Sequence, residues 1–363
     1  MRRWILLAVL AASEFSAYAA QRVTVQQLQQ LLTQEQTAHI SDEDAAQRLD
    51  ALELTERLTE STLDQFETKF HPGKKTSAAL NLLSDLSALL QPPSSELLHK
   101  DPPSAAEQQE IVQAAVNFTN ATLKHMPDFL ATRTTRSYEN VPVITADSTF
   151  QSGLHSMGTF VSETGYRDGR EVLSNTPAAA GAHISPMVFR AGLTSIGEFG
   201  RDLEIIMTDS AKNQIAWSHW EQTSTGLVAV FHYEVPKEAS HYRSYFCCGW
   251  NSAANSSTSY DGTPAYHGSL SIDPSTGSIL RVTLGVEFEC FDPPPRYSLA
   301  VQYGKVDIDG RSSNLPIRSV AIGKGSTLAR GRYWTNLYID DVSFTNYHRF
   351  GSTVRILPST PDR

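Results

Sequence analysis

Cysteine is scarce: the 363-residue chain has three, Cys247, Cys248 and Cys290. A disulfide-dense miniature scaffold is therefore excluded. With no Cys-x-x-Cys, no His-x-His and no His-Glu-x-x-His, no metal centre is expected. No apolar run reaches the roughly 20 residues that a membrane-spanning helix needs, so an integral membrane protein is not expected. Basic residues are outnumbered, 30 Lys and Arg against 39 Asp and Glu, for a net charge of −9. Without a basic block, nucleic acid is not an expected partner, and charge alone would not hold the chain on an anionic membrane. A Gly-x-Ser-x-Gly nucleophile elbow is missing, and Gly192-Leu-Thr-Ser-Ile-Gly197 only superficially suggests one. Gly323-Lys-Gly-Ser326 lacks the spacing and the following helix of a phosphate loop, so no cofactor is expected.

What is present begins with a compartment signal. Arg2 and Arg3 precede a short apolar stretch, Trp4 to Ala12, and Ala17-Tyr18-Ala19 fits a small-x-small cleavage pattern. These mark residues 1–19 as a secretory signal peptide, so an exported protein, periplasmic or extracellular, is expected. The plain alternative is an ordinary N-terminal helix. No cysteine sits at the cleavage point, which argues against a lipid anchor. Cleavage takes the net charge from −9 to −10 and leaves 344 residues, enough for about two domains. An oxidising compartment permits a disulfide. Neighbours on a strand point to opposite faces, so one of Cys247 and Cys248 is expected to pair with Cys290 and the other to remain a thiol. Three separate buried thiols are the alternative.

The chain changes character near residue 130, which divides it into a helical segment, 20–128, a β segment, 129–358, and a tail, 359–363. In the helical segment, Thr24-Val25-Gln26-Gln27 and Ser104-Ala105-Ala106-Glu107 are capping boxes, the second opening a helix to about Met126. Ser41 followed by three acids starts a helix expected to continue through Leu49, Leu52 and the region of Leu58. Ser61 starts another, with Leu63, Phe66 and Phe70 on one side, broken by His71-Pro72-Gly73. Ala79, Leu82, Leu83, Leu86, Leu89 and Leu90 then recur at helical spacing. Such stripes build a helix–helix core or a partner-binding groove, and amphipathicity alone does not separate the two.

In the β segment, Arg167-Asp-Gly-Arg170, Asp273-Pro-Ser-Thr-Gly277 and Asp307-Ile-Asp-Gly310 read as turns. After Gly277, Leu280, Val282, Leu284, Val286, Phe288 and Cys290 alternate with residues expected to be mostly wet. Further strands are expected over Leu227–Val235, His241–Phe246, Leu299–Tyr303, Leu315–Ile322 and Tyr333–Tyr347. A helix is expected over Ile196–Met207, and a mobile loop over Trp250–Pro264. Hairpin links with one-sided alternation imply an antiparallel sheet.

Several segments resemble a family of secreted proteins of soil bacteria that carries no established activity. These include Phe129-Leu-Ala-Thr-Arg-Thr-Thr-Arg-Ser-Tyr138, Tyr166-Arg-Asp-Gly-Arg-Glu-Val172, Gly197-Glu-Phe-Gly200, Phe231-His-Tyr-Glu-Val-Pro236, Ser240-His-Tyr242 and Tyr266-His-Gly-Ser-Leu-Ser-Ile-Asp-Pro274. More distantly, residues 130–350 resemble the periplasmic lipoprotein-carrier class. The resemblance rests on Tyr166-Arg-Asp-Gly169, a helix between early strands, and Ile272-Asp-Pro-Ser-Thr-Gly277 leading to Leu280-Arg-Val282. It implies an α+β fold in which an N-terminal helical segment precedes a strongly curved antiparallel sheet, an incomplete barrel, with one or two packed helices. Fold does not fix function.

The candidate ligand-binding residues are aromatic: Trp217, Trp220, Phe231, Tyr233, Tyr242, Phe246 and Tyr266, with His267 beside them. Lining a half-barrel, they would offer an apolar cavity that the 250–264 loop could lid; otherwise they are simply core. His219 with Glu221 and His232 with Glu234 share strand faces, too few ligands for zinc. Three readings follow. The first is a non-catalytic binding protein that holds a lipid, an acyl chain or an acylated protein. The second is a scaffold protein that docks a protein partner through exposed leucines of its N-terminal helices. The third is a hydrolase using His267 or His241 with an acid.

Overall fold

The computed structural model describes residues 21–151, 153–174, 193, 197–211, 214–223 and 226–349. The expected signal peptide, the tail, Ile196 and most of the Gly192–Gly197 segment lie outside the described residues. The chain divides into two units, Met1–Pro93 and Ser94–Arg363.

In the first unit, β1 (Gln21–Val23), α1 (Val25–Thr37), α2 (Asp42–Leu49), β2 (Leu52–Leu54), α3 (Glu60–Phe70) and α4 (Lys74–Leu86) follow in order. Thr24 caps α1 through the full box: its Oγ1 accepts from the Gln27 N–H, and the Gln27 Oε1 accepts from the Thr24 N–H. Gly73, at the N-cap of α4, has no side chain to offer. Asp42 of α2 supplies the cap instead, accepting from the backbone N–H groups of Lys75 at 3.1 Å and Thr76 at 2.9 Å. A Cβ on Gly73 would overlap that carboxylate. The expected extension of α2 to Leu58 does not occur. The helix ends at Leu49, and Leu52–Leu54 pairs in parallel with β1. Leu28, Leu49, Leu58 and Leu80 are the most deeply buried leucines of this core.

The second unit opens with α5 (Ala105–Lys124), capped by the Ser104 box. Sequence character grouped α5 with the helices before it, yet its buried residues Ile111 and Ala115 belong to the core of the sheet. Then come β3 (Phe129–Asn140), β4 (Val143–Ile144), β5 (Thr149–Phe150), β6 (His155–Arg167), β7 (Arg170–Ser174) and α6 (Arg201–Ser210). The rest is β8 (Gln214–Thr223), β9 (Gly226–Val235), β10 (Ser244–Asn251), β11 (Ser256–Gly262), β12 (Tyr266–Ile272), β13 (Ile279–Glu287), β14 (Arg296–Ile308), β15 (Arg311–Ala329) and β16 (Arg332–Arg349).

Twelve strands form one sheet, in the order β7-β6-β3-β16-β15-β14-β13-β12-β9-β8, with β10 and β11 attached off that path. The path is antiparallel throughout and does not close into a barrel. Among the described residues of this sheet the parallel contact is at β15: its pairing with β14 ends at Lys324, and β10 takes over from Ser326 to Leu328. Asp168-Gly169, Asp309-Gly310 and Arg330-Gly331 turn their hairpins with both residues at positive φ, which matches the strand twist. The expected helix at Ile196–Met207 is displaced: α6 starts at Arg201, and Phe199 lies in the turn before it. The expected loop at 250–264 is largely the β10–β11 hairpin, because the Ser- and Thr-rich run 256–262 pairs its backbone with β10. On β13 both faces are largely covered, with Thr283 and Gly285 buried as well as Val282, Leu284 and Val286.

Candidate functional site

Helices α5 and α6 pack on each other and over one face of the sheet. Leu203, Ile206 and Met207 of α6 meet a surface that includes Phe231, Tyr233, Leu270, Leu284, Tyr297 and Tyr303. Seven of the eight sequence-selected residues gather in this region. Trp220, Phe231, Tyr233 and Tyr266 are buried, while Trp217, Tyr242 and Phe246 are partly buried against them. Their rings pack edge to face or tilted: Trp217 on Trp220 at 4.7 Å, Trp217 on Phe231 at 5.4 Å, Tyr242 on Tyr266 at 5.6 Å. Phe246 stacks on Phe288 at 4.6 Å. The three polar side-chain atoms of the buried members are satisfied. Tyr233 Oη donates to the Thr283 carbonyl at 2.6 Å, Tyr266 Oη to Asp209 at 2.8 Å, and Trp220 Nε1 to the Asp101 carbonyl at 2.9 Å. His267 follows Tyr266 on β12 and is exposed. A cavity of about 10 Å³, space for one water, lies elsewhere, between Phe118, Thr119 and Leu123 of α5, Gly200, Leu203, and Tyr303, Asn314 and Leu315 of the sheet.

Two histidine constellations flank this face. Asp209, at the end of α6, is buried and accepts from the His241 backbone N–H at 2.9 Å, while its other oxygen hydrogen-bonds His241 Nδ1 at 2.6 Å. This turns His241 into an exposed imidazole oriented by a buried carboxylate, and it ties down the last turn of the helix. On β8, Ser218 Oγ lies 2.7 Å from His219 Nδ1 and 3.0 Å from His232 Nε2, and His219 Nε2 lies 2.9 Å from Glu221 Oε1. Among the described residues no group of three or more His, Cys, Asp or Glu is arranged to hold a metal.

No local sequence pattern signals the acids under the start of α6. Glu198, wholly buried, accepts from Ser319 Oγ of β15 at 3.2 Å and faces Arg133 of β3 at 3.6 Å. Glu171 of β7 accepts from the Gly197 N–H at 2.8 Å, while its Oε1 has no hydrogen-bond partner among the described residues. Asp202, in the first turn of α6, lies against Gly197, where a Cβ would overlap its carboxylate. Burial, then the neighbouring Glu198 charge, pushes Glu171 up to about 7. Burial, then Glu198 and Glu171, holds Asp202 well above the usual carboxylate range. Burial in low dielectric disfavours the charged form, and a like charge adds to that.

Cys248 and Cys290 form a disulfide with Cα atoms 6.1 Å apart, tying β10 to the segment after β13, and Cys247 is an exposed thiol. No helix among the described residues is long and apolar enough to cross a membrane.

No family model matches the chain, and no curated protein does. Among solved structures, a Vibrio parahaemolyticus domain described as an outer membrane lipoprotein-sorting protein shares 9% identity at a TM-score of 0.25, over 65% of this chain and 90% of that one. The Pseudomonas aeruginosa MucA/MucB complex shares 11% at 0.20, over 62% and 93%, and MucB with the periplasmic part of MucA shares 8% at 0.19, over 66% and 94%. These are distant structural resemblances.

Proposed function

We propose that this is an extracytoplasmic, non-catalytic binding protein that receives an apolar or acyl chain, free or attached to a protein, on the aromatic face covered by α6. The observation that carries the reading is the contrast between the two sides of that cover. The sheet face is a broad apolar surface, whereas the ten-residue helix lying on it begins over buried acids. Elements that move for binding are drawn from the less stable parts of a fold. The Cys248–Cys290 bridge supports an oxidising compartment. The aromatic face is packed as it stands, so a ligand would have to displace α6. The test is native and lipid mass spectrometry of protein purified from an exported preparation. A stoichiometric apolar ligand supports the reading, and a protein still empty after incubation with envelope lipids refutes it.

A protein partner is the second reading, and the exposed apolar side chains favour the sheet over the N-terminal helices for it. Leu90 is the one large exposed apolar residue among those described in the first unit. In the second unit Val143 and Phe150, paired across the β4–β5 hairpin, are exposed, as are Trp250 and Tyr333. That hairpin is held to the β15–β16 turn by Arg330, which donates to the Thr145 carbonyl at 3.2 Å.

A further inference from the structure

Both ends of α6 are fastened through carboxylates, one at its last turn and three gathered around its first. At its last turn Asp209 accepts from the His241 backbone and from Tyr266. At its first turn the fastening is made of acids. Glu171 receives the Gly197 N–H, Glu198 sits between Arg133 and Ser319, and Asp202 closes over Gly197 while its own N–H donates to the Gly197 carbonyl at 3.1 Å. The Tyr303 hydroxyl of β14 donates to the Glu198 carbonyl. Arg133 is the one buried cation in contact with this group among the described residues.

We propose that Glu171, Glu198, Asp202 and Arg133 form a pH-responsive latch that holds the first turn of α6 on the sheet in acid and releases it as the medium becomes neutral to alkaline. The charge balance gives the direction. With Glu171 and Asp202 protonated, neither adds a charge beside the Glu198–Arg133 ion pair. When Glu171 ionises, a second negative charge appears in a water-poor site that, among the described residues, holds one buried cation, Arg133. The groups that act on Glu171 and its two acidic neighbours are Glu198 from the turn, Arg133 from β3, Asp202 and the exposed Arg201 from α6, with the hydroxyls of Tyr303 and Tyr297 from β14, Tyr347 from β16, Tyr233 from β9, Tyr266 from β12 and Tyr242 before β10. These tyrosines stay neutral through the range in question, since burial raises them all. Glu171 is held above its solvent value in the closed state. The closed state therefore has its full advantage below about 4.5 and loses it as pH rises through about 7. This inference does not depend on what the covered face binds.

The test is hydrogen–deuterium exchange of the amides of residues 202–206 in the full exported chain, from pH 5 to pH 8, corrected for intrinsic exchange. The two end values for Glu171 predict a rise in opening of some tens of fold across that range. The amides next to Asp209 should rise less. In Glu171→Gln the rise should disappear. Corrected exchange that stays flat in the wild type, or an equal rise in Glu171→Gln, overturns the latch. If Glu171→Gln does not fold, carboxyl-carbon NMR titration of Glu171 in the wild type decides: a midpoint near 7 supports the latch and one near 4.5 overturns it.

Discussion

Removing the Cys248–Cys290 bridge should cost the second unit about 4 kcal/mol. The bridge spans 42 residues of sequence, and in the chain-entropy model closing a loop of that length removes about 13 cal/mol/K from the denatured ensemble. Cys247 complicates the experiment, because an exposed thiol next to a disulfide invites exchange. The comparison is therefore made in a Cys247→Ser background, between the oxidised protein and its Cys248→Ala/Cys290→Ala derivative. Tryptophan emission during urea unfolding is a selective readout. Apart from Trp4, in the expected signal peptide, the tryptophans are 217, 220, 250 and 334, all in the second unit. With an m of about 3 kcal/mol/M for a unit of this size, the midpoint should fall by roughly 1.3 M. Phe246 and Tyr260 also pack on Phe288 beside the bridge, so the folded arm has its own contacts and the loss should appear as lower stability, not as failure to fold. A midpoint shift under about 0.3 M, at unchanged m, would refute the entropic account of this bridge.

Leu80→Ala, at a wholly buried site of the first unit, should cost that unit about 2–5 kcal/mol and leave the tryptophan-detected midpoint unchanged, as far-UV dichroism and emission measured together would reveal. Phe231→Ala should lower the tryptophan-detected stability by about 3–5 kcal/mol, because the ring is buried against Trp217. Ser104→Ala removes the acceptor for the Glu107 N–H and should cost about 1 kcal/mol, measured by urea unfolding.

Much of this architecture can be read from local chemistry. Thr24 and Ser104 announce their helices because a hydroxyl three residues before Gln or Glu satisfies two backbone donors at once. Asp168-Gly169 and Asp309-Gly310 announce hairpins because both residues accept positive φ. Arg330-Gly331 makes the same turn without an Asn or Asp to signal it, so the β15–β16 hairpin went unanticipated. Leu52–Leu54 is too short to display a period, and its strand identity comes from a partner about thirty residues earlier. The Ser256–Gly262 strand was hidden by composition, since serine reads as loop until β10 lies beside it. For the candidate site, the aromatic cluster was visible as density along the chain, whereas its covering by α5 was not, because the α5 isoleucine, valine and alanine pattern fits helix and sheet partners equally well.

The acids under α6 were beyond reach for a different reason. Arg133, Glu171, Glu198 and Asp202 come from β3, β7, a turn and a helix, and each looks unremarkable among its sequence neighbours. Only the fold brings them together, and once assembled they bury Glu171 Oε1 with no hydrogen-bond partner among the described residues, as both carboxylate oxygens of Glu35 in α1 are buried. Other buried polar groups of this unit are matched: Tyr233 with the Thr283 carbonyl, Asp209 with His241 and Tyr266, Trp220 with the Asp101 carbonyl, whereas Thr119, Thr164, Gln302 and Trp334 each bury a polar atom with no hydrogen-bond partner among the described residues. Replacing a buried ionic group with well-packed apolar residues is often neutral or stabilising by about 1–4 kcal/mol. A stability-optimised seat for a short helix on an aromatic face would therefore be apolar throughout. The sites where a chain departs from such consistency are those at which function is expected to be found. One such departure lies at the start of α6, which together with α5 covers the apolar face of the sheet, and that placement is the ground for the proposed release of the helix.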